Sequence, residues 1–462
     1  MAHFLMLLAS LWLSLVCGPA AGSYAGQQQP FFMRGAAMSL LPTLDCNGTC
    51  SRYRANSSAS PQDALQILAD HGLNTVRLRL FGPGTMPNST CDSEAGRAPR
   101  GGGWATPCAA DAVCAWNKTC EEIEAANEAA SYAQVLAMAR RAKRAGLKIT
   151  LDIFYDSWCD CMDDRAGCGM GYDKCRLTPA PWRHFSFPTL LKAVYDYTHE
   201  VVTALVMQGT TPQSVQIGNE VDCGLMYAWP DMPCSVSGEI CASQGMPGRG
   251  HECPPNWGNM EALVKAGSKA VRAASPGTEL IIQLGASLDL AQGGNYSKLF
   301  YTNMAKAGVE FDAFGLSFYQ VWGAERVADV CAIAQAAQAL PDKRIYVIET
   351  GYPHRHGGYI DTPHTPNTTL QFGVSPAGQL AWLRALVWTV THGLWGRGAG
   401  VGWWGTEYAN PCSNEQCAGL WDQHYVALPA LTERGFDAGK EHTPPTGAVV
   451  CPPLEVASVL RV

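Results

Sequence analysis

Apolar positions along the chain follow two alternating rhythms. Short runs rich in β-branched and aromatic residues lie at 31–39, 73–81, 147–155, 214–222, 279–286, 311–319, 344–351 and 398–407. Several are dense in apolar residues, as in Val76-Arg77-Leu78-Arg79-Leu80-Phe81, and are read as strands covered on both sides in a parallel sheet. Between them apolar residues recur every three or four positions, over 61–71, 132–145, 189–207, 259–274, 327–340 and 376–391, which predicts amphipathic helices. Helix stops precede the next strand at His71-Gly72, Ala145-Gly146, Ser275-Pro276-Gly277 and Ala307-Gly308. Eight strand–helix units in series predict a (β/α)₈ TIM barrel, an α/β fold. An open doubly wound sheet would need a switch point and usually a Gly-rich first turn, and neither is visible.

The longest insertions, 82–126, 156–187, 223–257 and 352–375, all follow strand ends. In a barrel every strand C-terminus opens onto one face, where active sites are built. Cysteine usage sharpens this picture. Cys91, Cys108, Cys114, Cys120, Cys159, Cys161, Cys168, Cys175, Cys223, Cys234, Cys241 and Cys253 all fall in the first three insertions. They are expected to form disulfides bracing long loops on the substrate face. The Cys159–Cys175 group lacks paired zinc-ligand spacing, so no metal is expected.

The N-terminus points to an oxidising compartment. Phe4 to Val16 is a predominantly apolar run followed by Gly18, Ala20, Ala21 and Gly22. That pattern predicts a signal peptide over 1–22, and the run is too short for a membrane span. Its removal takes Cys17 and leaves an even number of the 19 cysteines. One catalytic domain is expected over 23–462, secreted, monomeric and free of the membrane. Sequons at Asn47, Asn56, Asn88, Asn117, Asn295 and Asn367 then predict a glycosylated surface. A hydrophobic fraction of 47% excludes general disorder, and a net charge of −7 with no basic face argues against nucleic acid as a partner.

Two strands end in glutamate. Val215-Gln216-Ile217-Gly218-Asn219-Glu220 closes the fourth run, and Arg344-Ile345-Tyr346-Val347-Ile348-Glu349-Thr350 closes the seventh. A carboxylate at such a tip can act as general acid/base, with Asn219 orienting a substrate hydroxyl. Retaining glycosidases need two carboxyl groups about 5–5.5 Å apart. Each glutamate alone could merely cap its strand or pair with Arg77 or Arg79; two at matching ends favour catalysis. Tyr155, Tyr319, Trp322 and Trp404 are the expected stacking contacts for pyranose faces, while Trp182, Trp382 and Trp388 are assigned to packing. His354-Arg355-His356 and His364 read as a solvated or substrate-rim loop rather than a metal site.

These motifs resemble glycoside hydrolase family 53, the arabinogalactan endo-β-1,4-galactanases. The resemblance rests on Met33-Arg34-Gly35-Ala36, Asn74-Thr75-Val76-Arg77-Leu78-Arg79-Leu80, Leu151-Asp152-Ile153-Phe154-Tyr155, Tyr195-Asp196-Tyr197-Thr198, Gln216-Ile217-Gly218-Asn219-Glu220, Gly315-Leu316-Ser317-Phe318-Tyr319, Ile348-Glu349-Thr350-Gly351-Tyr352-Pro353 and Trp403-Trp404. It implies Glu220 as acid/base, Glu349 as nucleophile with Arg79 keeping it ionised, a β-1,4-galactan substrate, and no cofactor. The chain departs from the family at Phe154, where a His is usual, and near Ala37, where an acidic residue is usual. Both departures remove polar contacts from the pocket and leave room for action on another β-glycan. A carbohydrate-binding protein on the same barrel is the non-enzymatic alternative.

Overall fold

A strand whose side chains are covered on both faces needs a helix layer outside and its own closed interior within. In the computed structural model all six residues of Thr75–Leu80 and of Ala313–Phe318 are buried. The structure describes residues 31–83, 113–114, 118–119, 130–155, 178–182, 185–221, 225–226, 258–285, 295–320, 326–357, 370–409 and 417–452. Eight parallel strands form a closed barrel in chain order: β1 (Met33–Ala37), β2 (Thr75–Leu80), β3 (Lys148–Ile153), β4 (Ser214–Ile217), β5 (Glu279–Gly285), β6 (Ala313–Phe318), β7 (Arg344–Thr350) and β8 (Gly398–Trp403). Closure comes from β1, which pairs with both β2 and β8. Each expected run therefore supplies a strand, trimmed by a few residues at its ends.

The connecting helices are α1 (Ala64–Asp70), α2 (Tyr132–Arg144), α3 (Phe187–Met207), α4 (Gly258–Ala274), α5 (Asn295–Lys306), α6 (Val330–Ala336) and α7 (Pro376–Trp388). The starts of α1, α2, α3 and α7 are capped by side-chain oxygens of Asp63, Ser131, Ser186 and Ser375, each accepting an otherwise orphaned N–H. Gly72, Gly146 and Gly308 adopt positive φ at helix ends, as their stop signals predict. The apolar rhythm overlooked α5, whose buried face of Tyr296, Phe300, Tyr301 and Met304 is interrupted by polar neighbours. Its Tyr301 packs on Phe314 of β6, with ring centroids 4.2 Å apart.

Residues Phe32–Val462 belong to one compact unit. The 1–22 leader and eleven of the twelve loop cysteines lie outside the described residues; Cys114 lies in a short antiparallel pair, Val113–Cys114 with Lys118–Thr119. Described disulfides join Cys46 to Cys50 and Cys331 to Cys451, and Cys417 is also disulfide-bonded. Among the described residues no helix is long and apolar enough to cross a membrane.

One ion-paired knot ties the β1–α1 connection to α2. Arg141 donates to both carboxylate oxygens of Asp63 at 2.8 Å and to Asp45 Oδ1 at 3.2 Å, and the Asp45 side chain is fully buried. A buried carboxylate stripped of its partner is strongly destabilising. Arg141→Met is therefore expected to lower folding stability by about 3–5 kcal/mol in chemical denaturation, and an unchanged midpoint would contradict this account of the knot.

Candidate active site

The site begins with the spacing of two arginines. Arg77 and Arg79 are two apart on β2, so both point to the barrel interior, although they are only 2% and 5% exposed. Buried guanidinium groups need carboxylates and further acceptors. Asp152 on β3 supplies the first: its Oδ2 lies 2.8 Å from Arg77 and 2.9 Å from Arg79. Register explains the fit, since Arg79 stands directly opposite Asp152, which in turn stands opposite Gln216 on β4. Gln216 Oε1 accepts from Arg77 Nε at 3.1 Å, while its amide group donates to Asp152 Oδ1 at 2.9 Å.

Glu349, one residue before the end of β7, supplies the second carboxylate. Its Oε1 lies 2.6 Å from Arg77 and 3.2 Å from Arg79. The other oxygen, Oε2, accepts from the Tyr319 hydroxyl at 3.1 Å. Burial pushes the Glu349 carboxyl up, but Arg77 and Arg79, then Gln283 and Tyr319, outweigh it and hold the group below the ordinary glutamate value. Tyr319 moves the opposite way: burial, then Glu349 and Glu220, raise its hydroxyl well above the usual tyrosine value, keeping it a donor.

Asn219 Oδ1 accepts from Arg77 at 2.8 Å and from Arg79 at 2.7 Å, so the same clamp fixes the residue before Glu220. Glu220 is half-buried at the tip following β4, with φ at +44°. That left-handed conformation is strained for a residue with a side chain, and such strain gathers at functional sites. Trp404 follows β8 and covers the cluster, its ring 4.6 Å from the Arg79 guanidinium carbon. Arg79, Asn219, Glu220, Tyr319, Glu349 and Trp404 thus gather around one cleft floor.

The sequence pattern of glycosyl hydrolase family 53 matches residues 112–432. The chain belongs to this family. It is an endo-acting glycosidase. A relative described as an arabinogalactan endo-β-1,4-galactanase from Cellvibrio japonicus is 24% identical over 88% of each chain. A similarly described protein of Aspergillus terreus, there called probable, is 26% identical over 80% of this chain and 84% of its own. Among solved structures, the family 53 catalytic domain from Ignisphaera aggregans matches 90% of this chain and 98% of its own with a TM-score of 0.63 at 22% identity, a likeness of fold.

Within this family 53 barrel, strand alternation corrects one expected sugar contact. Tyr155 is fully buried and its hydroxyl bonds Thr198 Oγ1 of α3 at 2.7 Å, so it packs against the helix layer rather than the cleft. Its neighbour Phe154 takes the inward position, 4.9 Å from the Arg79 guanidinium carbon and edge-on to Phe81. Trp322 lies outside the described residues, as do His364, Asn88, Asn117 and Asn367. Trp403 is buried, with its indole N–H on the Ala418 carbonyl, and Trp382 stacks between Phe318 and Tyr352. The His354 stretch is not uniformly solvated. His356 is exposed, whereas His354 is buried beneath the Cys417 segment, and burial pushes its imidazole down to about 4. Among the described residues no group of three or more His, Cys, Asp or Glu is placed to hold a metal ion.

Sequence reasoning missed four polar residues beneath the cleft: Asp152, Gln216, Gln283 and Ser317. It also treated Arg77 only as a partner for stray glutamates. Their signal was available as polar side chains at alternate positions inside otherwise apolar strands.

Glu407 is a further buried carboxyl at the β8 end. Its Oε1 accepts from the Leu40 N–H at 3.0 Å, and Oε2 has no partner among the described residues. Burial raises its pKa to about 7, against smaller lowering effects from hydrogen bonds and Arg79. A carboxyl with a raised folded-state pKa stabilises the fold below its unfolded value of 4.5, and that contribution is lost as pH climbs through about 7. Glu407→Gln, uncharged throughout, is expected to gain up to about 3 kcal/mol on the wild type between pH 5 and pH 8. Melting curves at both pH values check this; a constant difference contradicts it.

Proposed function

We propose that the protein hydrolyses β-1,4-linked galactan with retention of configuration, Glu349 acting as nucleophile and Glu220 as acid/base. The observation that carries this reading is the asymmetry between the two strand-end glutamates. Glu349 is buried and held ionised by two guanidinium groups, as a nucleophile requires. Glu220 is more exposed and sits at the opposite tip, where it can meet a leaving oxygen. In the first step Glu349 forms a bond to the anomeric carbon while the Glu220 carboxyl protonates the departing glycosidic oxygen. In the second, Glu220 takes a proton from water, whose oxygen attacks the same carbon and releases Glu349. Tyr319 and the arginines preserve the charge and aim of Glu349, and Asn219 is suited to a sugar hydroxyl near the reaction centre. No cofactor enters either step.

The galactan assignment draws support from the descriptions of the Cellvibrio and Aspergillus relatives. Trp404 offers a half-buried aromatic face for a pyranose. Secretion accords with the apolar leader and the disulfides, and Asn47, Asn56 and Asn295 are exposed and open to glycosylation. The protein acts on its polysaccharide as a monomer in this reading. One observation favours a different β-glycan: Phe154, an apolar ring against Arg79, stands where the family usually has a polar one.

Glu349→Gln and Glu220→Gln are each expected to abolish release of reducing ends from β-1,4-galactan, with unchanged circular dichroism. Full activity in either variant would sink the assignment. A parallel panel of β-glucan, β-mannan and β-xylan tests specificity: activity confined to one of these overturns the galactan reading while leaving the catalytic pair standing.

A further inference from the structure

Gln283 lies deep in the barrel on β5 and belongs to none of the motifs that carry the family resemblance. Its amide has two sides, and each meets the groups it can satisfy. The carbonyl oxygen Oε1 faces only donors: Arg77 Nη2 at 3.2 Å, the Gln216 amide, and the backbone N–H of Glu220 at 3.4 Å. The nitrogen Nε2 donates to Ser317 Oγ at 2.7 Å. Ser317 stands directly opposite Glu349 in the β6–β7 register. These partners fix the orientation of the amide, because a flipped group would set its N–H against a guanidinium and another N–H.

The neighbouring strand makes room for it. Gly315 lies opposite Gln283, and a Cβ at that position would stand 3.2 Å from the Gln283 Cβ and 2.8 Å from Ile281 Cγ2. A larger residue there would press on the stem of the glutamine and shift its head.

We infer that Gln283 is a positioning residue that ties the backbone of Glu220 to the guanidinium clamp around Glu349, so that a single amide sets the geometry between the two carboxyl groups. On one side it accepts from the backbone N–H of Glu220, a residue held in the left-handed conformation. On the other it holds Arg77, the closest cation to Glu349. It also hydrogen-bonds the Glu349 carboxylate directly, which helps keep that group ionised. Gln283 touches no substrate in this scheme; it acts through Glu220, Arg77 and Glu349. The inference rests on the proposed roles of Glu220 and Glu349.

Gln283→Met keeps the length of the side chain and removes both sides of the amide. Gln283→Glu is nearly isosteric and keeps an acceptor, but places a negative charge beside Glu349. Steady-state kinetics on β-1,4-galactan, or on whichever β-glycan the wild type cleaves, would be measured across pH. The methionine variant is expected to lose roughly ten- to a hundredfold in kcat with KM little changed, the loss that follows removal of a hydrogen bond to a charged group. In both variants the acidic limb of kcat/KM is expected to move up by about one pH unit, as Glu349 becomes easier to protonate. If the methionine variant does not fold, the glutamate variant carries the test alone. Folded variants with wild-type kcat and an unmoved acidic limb would overturn the inference. So would activity that falls only in proportion to the fraction of folded protein, with the limb unmoved. Glu349→Gln run in parallel separates the two levels: full activity there defeats the catalytic reading, whereas an inactive Glu349→Gln beside unaffected Gln283 variants defeats this inference alone.

Discussion

Two arginines buried inside a barrel are the constraint on which the site is built. A guanidinium out of water is costly unless it is paired and hydrogen-bonded, and β2 brings in two of them. Asp152 and Glu349 balance the charge, and Asn219, Gln216 and Gln283 take up remaining donors. The groups come from β2, β3, β4, β5 and β7 and the turn after β4, so the cluster exists only when the barrel has closed. Because Glu349 is one of the neutralising partners, its ionisation is part of the structural bargain. Protonating it would leave two buried cations facing one carboxylate.

This coupling distinguishes the two strand-end glutamates. Glu349 is locked from below by the arginines and from the side by the Tyr319 hydroxyl. Around Glu220, Asn219 is gripped by both arginines, and the Glu220 N–H meets Gln283. Gly218, at φ +74°, makes the turn that lifts this segment off β4, and a Cβ there would meet Val221 at 2.4 Å. One carboxyl is therefore held as an anion, while the other lies closer to solvent.

Much of this barrel was legible in the chain itself. All eight strands announced themselves as short, densely apolar runs, and the glycines ending helices marked where units closed. The two strand-end glutamates were visible for the same reason, as charges terminating apolar runs. Helix α5 was marked only by its Ala307-Gly308 stop, since Asn295, Ser297, Lys298, Thr302 and Asn303 break its apolar rhythm. Tyr155 was misassigned because nearness to a strand end says nothing about face; counting in twos from the inward Asp152 would have picked Phe154. Gln283 shows locally only as a polar residue inside an apolar strand, and its role is hidden because its partners lie on other strands.

The central claim is that the clamped glutamate becomes covalently attached to sugar during turnover. The most direct measurement is peptide mass spectrometry of the enzyme after incubation with a 2-deoxy-2-fluoro-β-galactoside, whose electron-poor sugar slows the second step. A single glycosyl adduct on the peptide containing Glu349, absent in Glu349→Gln, is the predicted result. Turnover without any adduct, or an adduct carried by another carboxylate, would contradict it.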